Sequence, residues 1–201
     1  MKPAENGYEY PMTSGLEPQP GIVRVAPFAG FVQRFEDLIG SSSQMILYFI
    51  HSRRWRENHA ASLKAFLGRE NSTLEVFLPD LENHELMYSL SKHFDDGPLI
   101  PSLVIDAYRY FARQSREFQK SIPIWLFGRY PTYSFYRFDE RAVIALYSNS
   151  AAKKDLPAFE ITNDCFLGQF LWADIEDLKR ECRRRDPEEL EAIIQNGAAP
   201  S

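Results

Sequence analysis

The sequence predicts an α/β fold, a mixed sheet flanked by helices, and three observations carry that expectation. Met45-Ile-Leu-Tyr-Phe-Ile50 is an uninterrupted apolar run with branched and aromatic members, the pattern of a strand buried on both faces. A second run, Leu74-Glu-Val-Phe-Leu78, follows it across a stretch of helical periodicity, the order of a right-handed parallel strand-helix-strand unit. Further on, Tyr133 to Phe138 and Ala142 to Tyr147 flank Asp139-Glu140-Arg141, the outline of a hairpin that adds antiparallel pairing.

The elements then follow in order. Residues 1 to about 20 hold Pro, Gly, Glu and Ser without a hydrophobic period, so residues 1–26 are expected to be a flexible leader before a domain over 27–185. Phe28, Phe31, Val32, Phe35, Leu38 and Ile39 recur at helical spacing from Pro27 to Ile39, and Gly40 with the serines after it stops the helix. Trp55, Ala60, Leu63, Phe66 and Leu67 line a second helix that ends at Gly68. After the strand at 74–78, Glu85 to Leu90 and Leu103 to Phe118 read as helices inserted on the sheet, separated by breaks at Pro98 and Pro101. Ile122 to Phe127 and Ala158 to Ile161 read as strands, and Phe166, Phe170, Leu171, Ile175 and Leu178 mark a closing helix. The run Arg180, Arg183 to Arg185, followed by Asp186, Glu188, Glu189 and Glu191, reads as a solvated helical face leading into a charged tail over 186–201.

Composition narrows the function. At 201 residues, with 44% hydrophobic and 14% aromatic content, the chain suits one domain with tails. A net charge of -5 supplies no global positive field, which argues against nucleic acid and anionic membranes as partners and makes any anion site a local one. No apolar run reaches the length of a membrane span and the N-terminus lacks a secretion signal, so a cytoplasmic, bacterial protein is expected. Cys165 and Cys182 lie too far apart along one helix to bridge. His59, His84 and His93 show no ligand spacing, and no Gly-rich phosphate loop or dinucleotide fingerprint occurs, so neither metal nor cofactor is expected.

The hairpin region carries the informative pattern. Thr132-x-Ser134-x4-Asp139, with Asn149 ten residues further on, resembles the phospholipase D superfamily's His-x-Lys-x4-Asp motif and its following Asn, with Thr and Ser in place of His and Lys. The variant also resembles degenerate members of that superfamily in bacterial regulatory proteins, where Arg137 has a counterpart. The resemblance covers about Met45 to Arg180 as a single half-unit with a helical insertion, and one motif per chain implies a homodimer. The family's transfer chemistry needs an imidazole that attacks phosphorus and a lysine that holds the phosphoryl oxygens. Thr132 and Ser134 supply neither, and only Thr132 and Asp139 remain as candidate catalytic groups.

What the residues offer instead is recognition. Thr132, Ser134 and Asn149 provide neutral hydrogen-bonding groups. His51-Ser-Arg-Arg-Trp-Arg56 follows the first core strand, where open α/β sheets collect ligands, so Ser52, Arg53 and Arg54 are the expected anion contacts. Arg129 and Arg137 complete the set, Arg129 at the same sheet end as Tyr133 and Arg137 in an ion pair with Asp139. The expected function is binding of a phosphorylated small molecule of nucleotide type by a sensing module. A hydrolase or transferase acting on a phosphodiester or N-glycosidic bond, and a protein-interaction scaffold, are the alternatives.

Overall fold

A computed structural model describes residues 21–94, 97–148, 155–186 and 189. Its centre is an eight-stranded sheet with order β1-β7-β6-β5-β2-β3-β4-β8. The strands are β1 (Ile22–Pro27), β2 (Gln44–Tyr48), β3 (Thr73–Pro79), β4 (Ile124–Phe127), β5 (Tyr133–Phe138), β6 (Arg141–Leu146), β7 (Pro157–Thr162) and β8 (Arg183–Arg185). The helices are α1 (Val32–Ser41), α2 (Arg53–Asn58), α3 (Ala60–Leu67), α4 (His84–His93), α5 (Ile100–Phe118) and α6 (Phe166–Glu181). No helix among the described residues is long and apolar enough to cross a membrane.

The sheet is mixed, as the sequence predicts. β2, β3 and β4 run parallel, while β5 lies antiparallel to β2 and begins an antiparallel meander through β6 and β7 to β1. Met45, Leu47 and Val76 are almost fully buried because helices cover both faces of the central strands. On one face lie α1 and α2, whose Phe35 and Trp55 ring Tyr136 at centroid distances of 5.2 and 5.0 Å. On the other lies α6, whose Trp172 meets Phe135 edge-on at 5.2 Å. Side chains alternate across a strand, so Ser134 and Tyr136 face α1 and α2, while Tyr133, Phe135 and Arg137 face α6.

Both ends of the sheet depart from the sequence expectations. Ile22–Pro27, all but its last residue inside the stretch expected as leader, is strand β1 paired to β7; its β-branched Ile22, Val23 and Val25 favour extended structure, and its exposure on both faces reflects its place at the edge. Arg183–Arg185, expected on a helical face, pairs with β4 as edge strand β8, because α6 ends at Glu181 and Cys182 turns the chain back in extended conformation. The first helix starts later than expected, with a 3-10 turn over Phe28–Phe31 before α1.

Local chemistry explains the ends of the inserted helices. Asn83 caps α4 by accepting the Leu86 N–H at 3.0 Å, and Pro101 sits in the first turn of α5, where its missing donor costs nothing. Gln114 on α5 is only 1% exposed, yet neither amide atom has a partner among the described residues. An unpaired buried amide carries its full desolvation cost, so Gln114→Leu is expected to stabilise the fold by about 1–2 kcal/mol in urea unfolding. A destabilised Gln114→Leu protein would mean that the amide is satisfied in solution.

Candidate ligand-binding site

The C-terminal end of β2 meets the N-terminal end of β5 and the C-terminal end of β6, and a pocket of about 150 Å³ opens there. Ser52, Ser134, Tyr136, Tyr147, His51 and Phe94 are among its lining residues. β5 supplies Ser134 and Tyr136 two residues apart on one face, and β2 runs out into His51 and Ser52 just before α2. Ser52 adopts the left-handed region, φ 44°, an uncommon conformation for a residue other than Gly, Asn or Asp. Such backbone is kept where its surroundings over-determine it. Here the surroundings include Tyr136, whose hydroxyl lies 2.8 Å from the Ser52 Oγ.

The hydroxyls form a connected, uncharged set. Burial pushes the Tyr136 phenol up to about 12, against the pull of its hydrogen bonds with Ser52 and Ser134. Burial likewise raises the Tyr147 phenol well above its ordinary value, helped by repulsion from Tyr136 and Tyr48 and opposed by hydrogen bonds from the Ile50 main chain and Ser134. Both phenols therefore stay protonated at neutral pH and act as donors and acceptors. Neither serves as a base there. Phe94 meets Tyr147 edge-on at 5.6 Å, so aromatic surface lies beside the polar groups.

His51 also lines this pocket, and nothing in the linear motif pointed to it. Its Nδ1 accepts the Arg53 N–H at 3.3 Å, which in the neutral ring places the proton on Nε2. Its position directly after a buried parallel strand was the available signal. Tyr136 and Tyr147 were legible only as apolar strand residues, because a sequence does not say which phenol oxygen will reach a cavity.

The residues expected at the site divide between several places. Ser52 and Ser134 come together in the pocket. Thr132 is exposed and lines a separate cavity of about 170 Å³ against α6, with Arg129, Tyr133 and Asp174, so it does not join Ser134. The strand starts at Tyr133, which leaves Thr132 outside the alternation that would have put both on one face. Arg129 does share a sheet end with Tyr133, but it pairs with Glu181 at 2.8 Å. Arg53 pairs with Glu57 at 2.9 Å, and Arg54 is exposed at the start of α2; neither lines the pocket. Asn149 lies outside the described residues.

Arg137 and Asp139 sit at the far end of β5 and hold structure. Arg137 Nε donates to the Asp139 main-chain carbonyl at 2.8 Å and lies 5.2 Å from the Trp172 ring, in place of the expected ion pair. The Asp139 carboxylate is taken up by the N–H groups of Ser43 at 3.1 Å and Gln44 at 2.7 Å and by the Ser43 hydroxyl at 3.2 Å. It therefore ties the hairpin turn to the start of β2. Among the described residues no three His, Cys, Asp or Glu side chains cluster as a metal site would need.

No protein-family model matches the chain, and no curated protein matches it in sequence. Among solved structures the fold is similar to TrmBL2, described as an archaeal chromatin protein with a novel mode of DNA binding. That match has TM-score 0.49 and 9% identity, over 81% of this chain and 53% of that one. It is similar as well to Nuc, a phospholipase D family member from Salmonella typhimurium, with TM-score 0.47 and 13% identity over 80% of this chain and 94% of that one. A third similar structure is the phosphatidylserine synthase of Haemophilus influenzae Rd KW20, with TM-score 0.47 and 14% identity over 81% of this chain and 41% of that one. The chain thus spans about half the length of TrmBL2 and less than half that of the synthase. These likenesses concern the course of the backbone; the chemistry of the pocket rests on its own side chains.

Proposed function

We propose that the chain is a ligand-binding module, without phosphodiester-transfer activity, that holds a nucleotide-type small molecule by its uncharged ring end in the pocket at the end of β2. The observation that carries this reading is the convergence of Ser52, Ser134, Tyr136 and Tyr147 on one cavity with no Lys or Arg among its described lining residues. Neutral hydroxyls beside aromatic rings suit a planar, hydrogen-bonding ring, whereas a phosphate brought among these described groups would lose its hydration without gaining a counter-charge from them. At about 150 Å³ the pocket is small, and it suits one end of a larger ligand. The phosphate then lies outside it, toward the first turn of α2, where Arg54 is exposed.

A transfer reaction of the type the sequence resemblance implies would require an imidazole and an ammonium at positions 132 and 134, which Thr132 and Ser134 do not supply.

Calorimetric titration with the four common nucleosides and their monophosphates tests the proposal. One nucleoside is expected to bind saturably, and its monophosphate to bind no more than about tenfold more tightly, as one exposed cation allows. Arg54→Ala should remove that difference and leave nucleoside affinity unchanged. If none of the eight compounds binds, the reading fails.

A second reading, a hydrolase acting on a phosphodiester or N-glycosidic bond, is favoured by one observation, the presence of His51 in the pocket. Turnover of a nucleotide or nucleoside that disappears in His51→Ala would select it over binding alone.

A further inference from the structure

We propose that the chain carries a second binding site, for a small alkylammonium compound such as a short diamine, in the cavity between the start of β5 and helix α6. The cavity measures about 170 Å³, and Tyr48, Tyr130, Tyr133, Asp174, Asp177 and Glu181 are among its lining residues. None of these residues, nor its neighbours along the chain, falls in an undescribed segment. Carboxylates stand here beside the phenol rings, which sets this cavity apart from the hydroxyl pocket.

The Tyr48 hydroxyl is the observation that points to a ligand. Tyr48 ends β2 and is only 6% exposed, yet its hydroxyl makes no hydrogen bond to any described residue. Burial and the repulsion of Asp174 and Cys182 raise the phenol's pKa, so it stays protonated at neutral pH, a donor and acceptor facing a cavity with neither capacity used. A hydroxyl left in that state costs stability until a partner arrives. Tyr133 beside it is already engaged, because its hydroxyl donates to Asp174.

The carboxylates differ in what they already hold. Glu181 pairs with Arg129 at 2.8 Å, and Asp177 pairs with Arg180. Asp174 accepts the neutral Tyr133 hydroxyl and has no ion-pair partner among the described residues, so its charge is the one available to an incoming cation. The Tyr48 and Tyr133 rings meet nearly at right angles, with centroids 5.6 Å apart, and form two aromatic walls. Such faces attract an ammonium group, and its N–H donors find acceptors in the Tyr48 oxygen and the Asp174 carboxylate. A quaternary ammonium has no donor for either acceptor, and an anion would be repelled by Asp174, Asp177 and Glu181. The cavity's volume suits a chain of a few carbons, whose stem would lie against Leu178.

The test is calorimetric titration of the full chain with diaminobutane and, in parallel, with butanol, which matches the carbon chain but carries no charge. Saturable binding of the diamine is expected at about 50 mM salt and should weaken toward about 300 mM as screening increases, while butanol should not bind. Asp174→Asn should weaken diamine binding at least tenfold. Tyr48→Phe should weaken it several-fold and leave the melting temperature unchanged or higher, because the hydroxyl it removes is unpaired in the free protein; a purely structural hydroxyl would give the reverse, a lower melting temperature with affinity unchanged. Tyr136→Phe should leave diamine binding as it is, which separates this site from the hydroxyl pocket. Absence of saturable binding, butanol binding as well as the diamine, or affinity unaltered in folded Asp174→Asn and Tyr48→Phe proteins would overturn the proposal.

Discussion

Glu160→Ala is expected to destabilise the fold by about 3 kcal/mol. Glu160 on β7 is 1% exposed and accepts two hydrogen bonds from Arg34 of α1, at 2.9 and 2.5 Å, and another from Arg141 of β6 at 2.9 Å. Removing the carboxylate takes the counter-charge from Arg141 and leaves Arg34 with only the longer pair to Asp37, at 4.0 Å. Because Arg34 and Arg141 are 28% and 45% exposed, water recovers part of the loss, which puts the figure at the lower end for a broken buried pair. For a chain of this size the melting temperature should fall by roughly 6–12 °C.

The same group fixes a pH dependence. Burial alone would raise the Glu160 pKa, but the hydrogen bonds and charges of Arg34 and Arg141 outweigh it and hold the carboxyl below its ordinary 4.5. The folded state therefore binds this proton less readily than the unfolded state. Its stabilisation is complete above the ordinary value and is lost as the pH falls through the lowered folded value. Wild type should lose stability steeply in that acid window, and Glu160→Ala should show a flatter profile. Parallel profiles would mean that Glu160 does not set the acid stability.

Asp139→Ala is expected to cost about 2 kcal/mol of stability while leaving ligand affinity unchanged. The carboxylate joins the hairpin turn to the start of β2 through Ser43 and Gln44, and Asp139 itself sits at φ 50°, a conformation Asp tolerates better than Ala. Asp139→Asn keeps one acceptor oxygen and the backbone tolerance, so it should lose about half as much. The separation between stability and affinity is the informative part. A folded, fully stable Asp139→Ala protein that no longer bound ligand would return Asp139 to the functional site.

Much of the sheet was legible because burial on both faces leaves continuous apolar runs, as at Met45–Ile50, and a hairpin leaves alternation on either side of a polar turn. What escaped were the edges. β1 is too exposed to show a buried pattern, and β8 is Arg-Arg-Arg, a segment made a strand by its pairing with β4 and not by its own preference. The candidate site was half legible for a related reason. Ser52 and Ser134 belong to elements whose ends the sequence located, so their meeting followed from the topology. Thr132 was grouped with Ser134 by motif spacing, but the strand begins one residue too late to orient both the same way. Tyr136 and Tyr147 carry polar atoms on core-forming rings, and only tertiary structure decides where those atoms emerge.

In the function proposed above, the chain meets its ligand at a neutral hydroxyl pocket at the end of β2 and not at a charged motif across the hairpin. Calorimetric affinity of the best-bound nucleoside for the Ser134→Ala/Tyr136→Phe double variant decides between the two. Loss of the two hydroxyls should weaken binding at least tenfold while circular dichroism and thermal unfolding confirm an intact fold. Undiminished affinity in that variant, or affinity lost instead in Thr132→Ala, would contradict the hydroxyl pocket as the binding site.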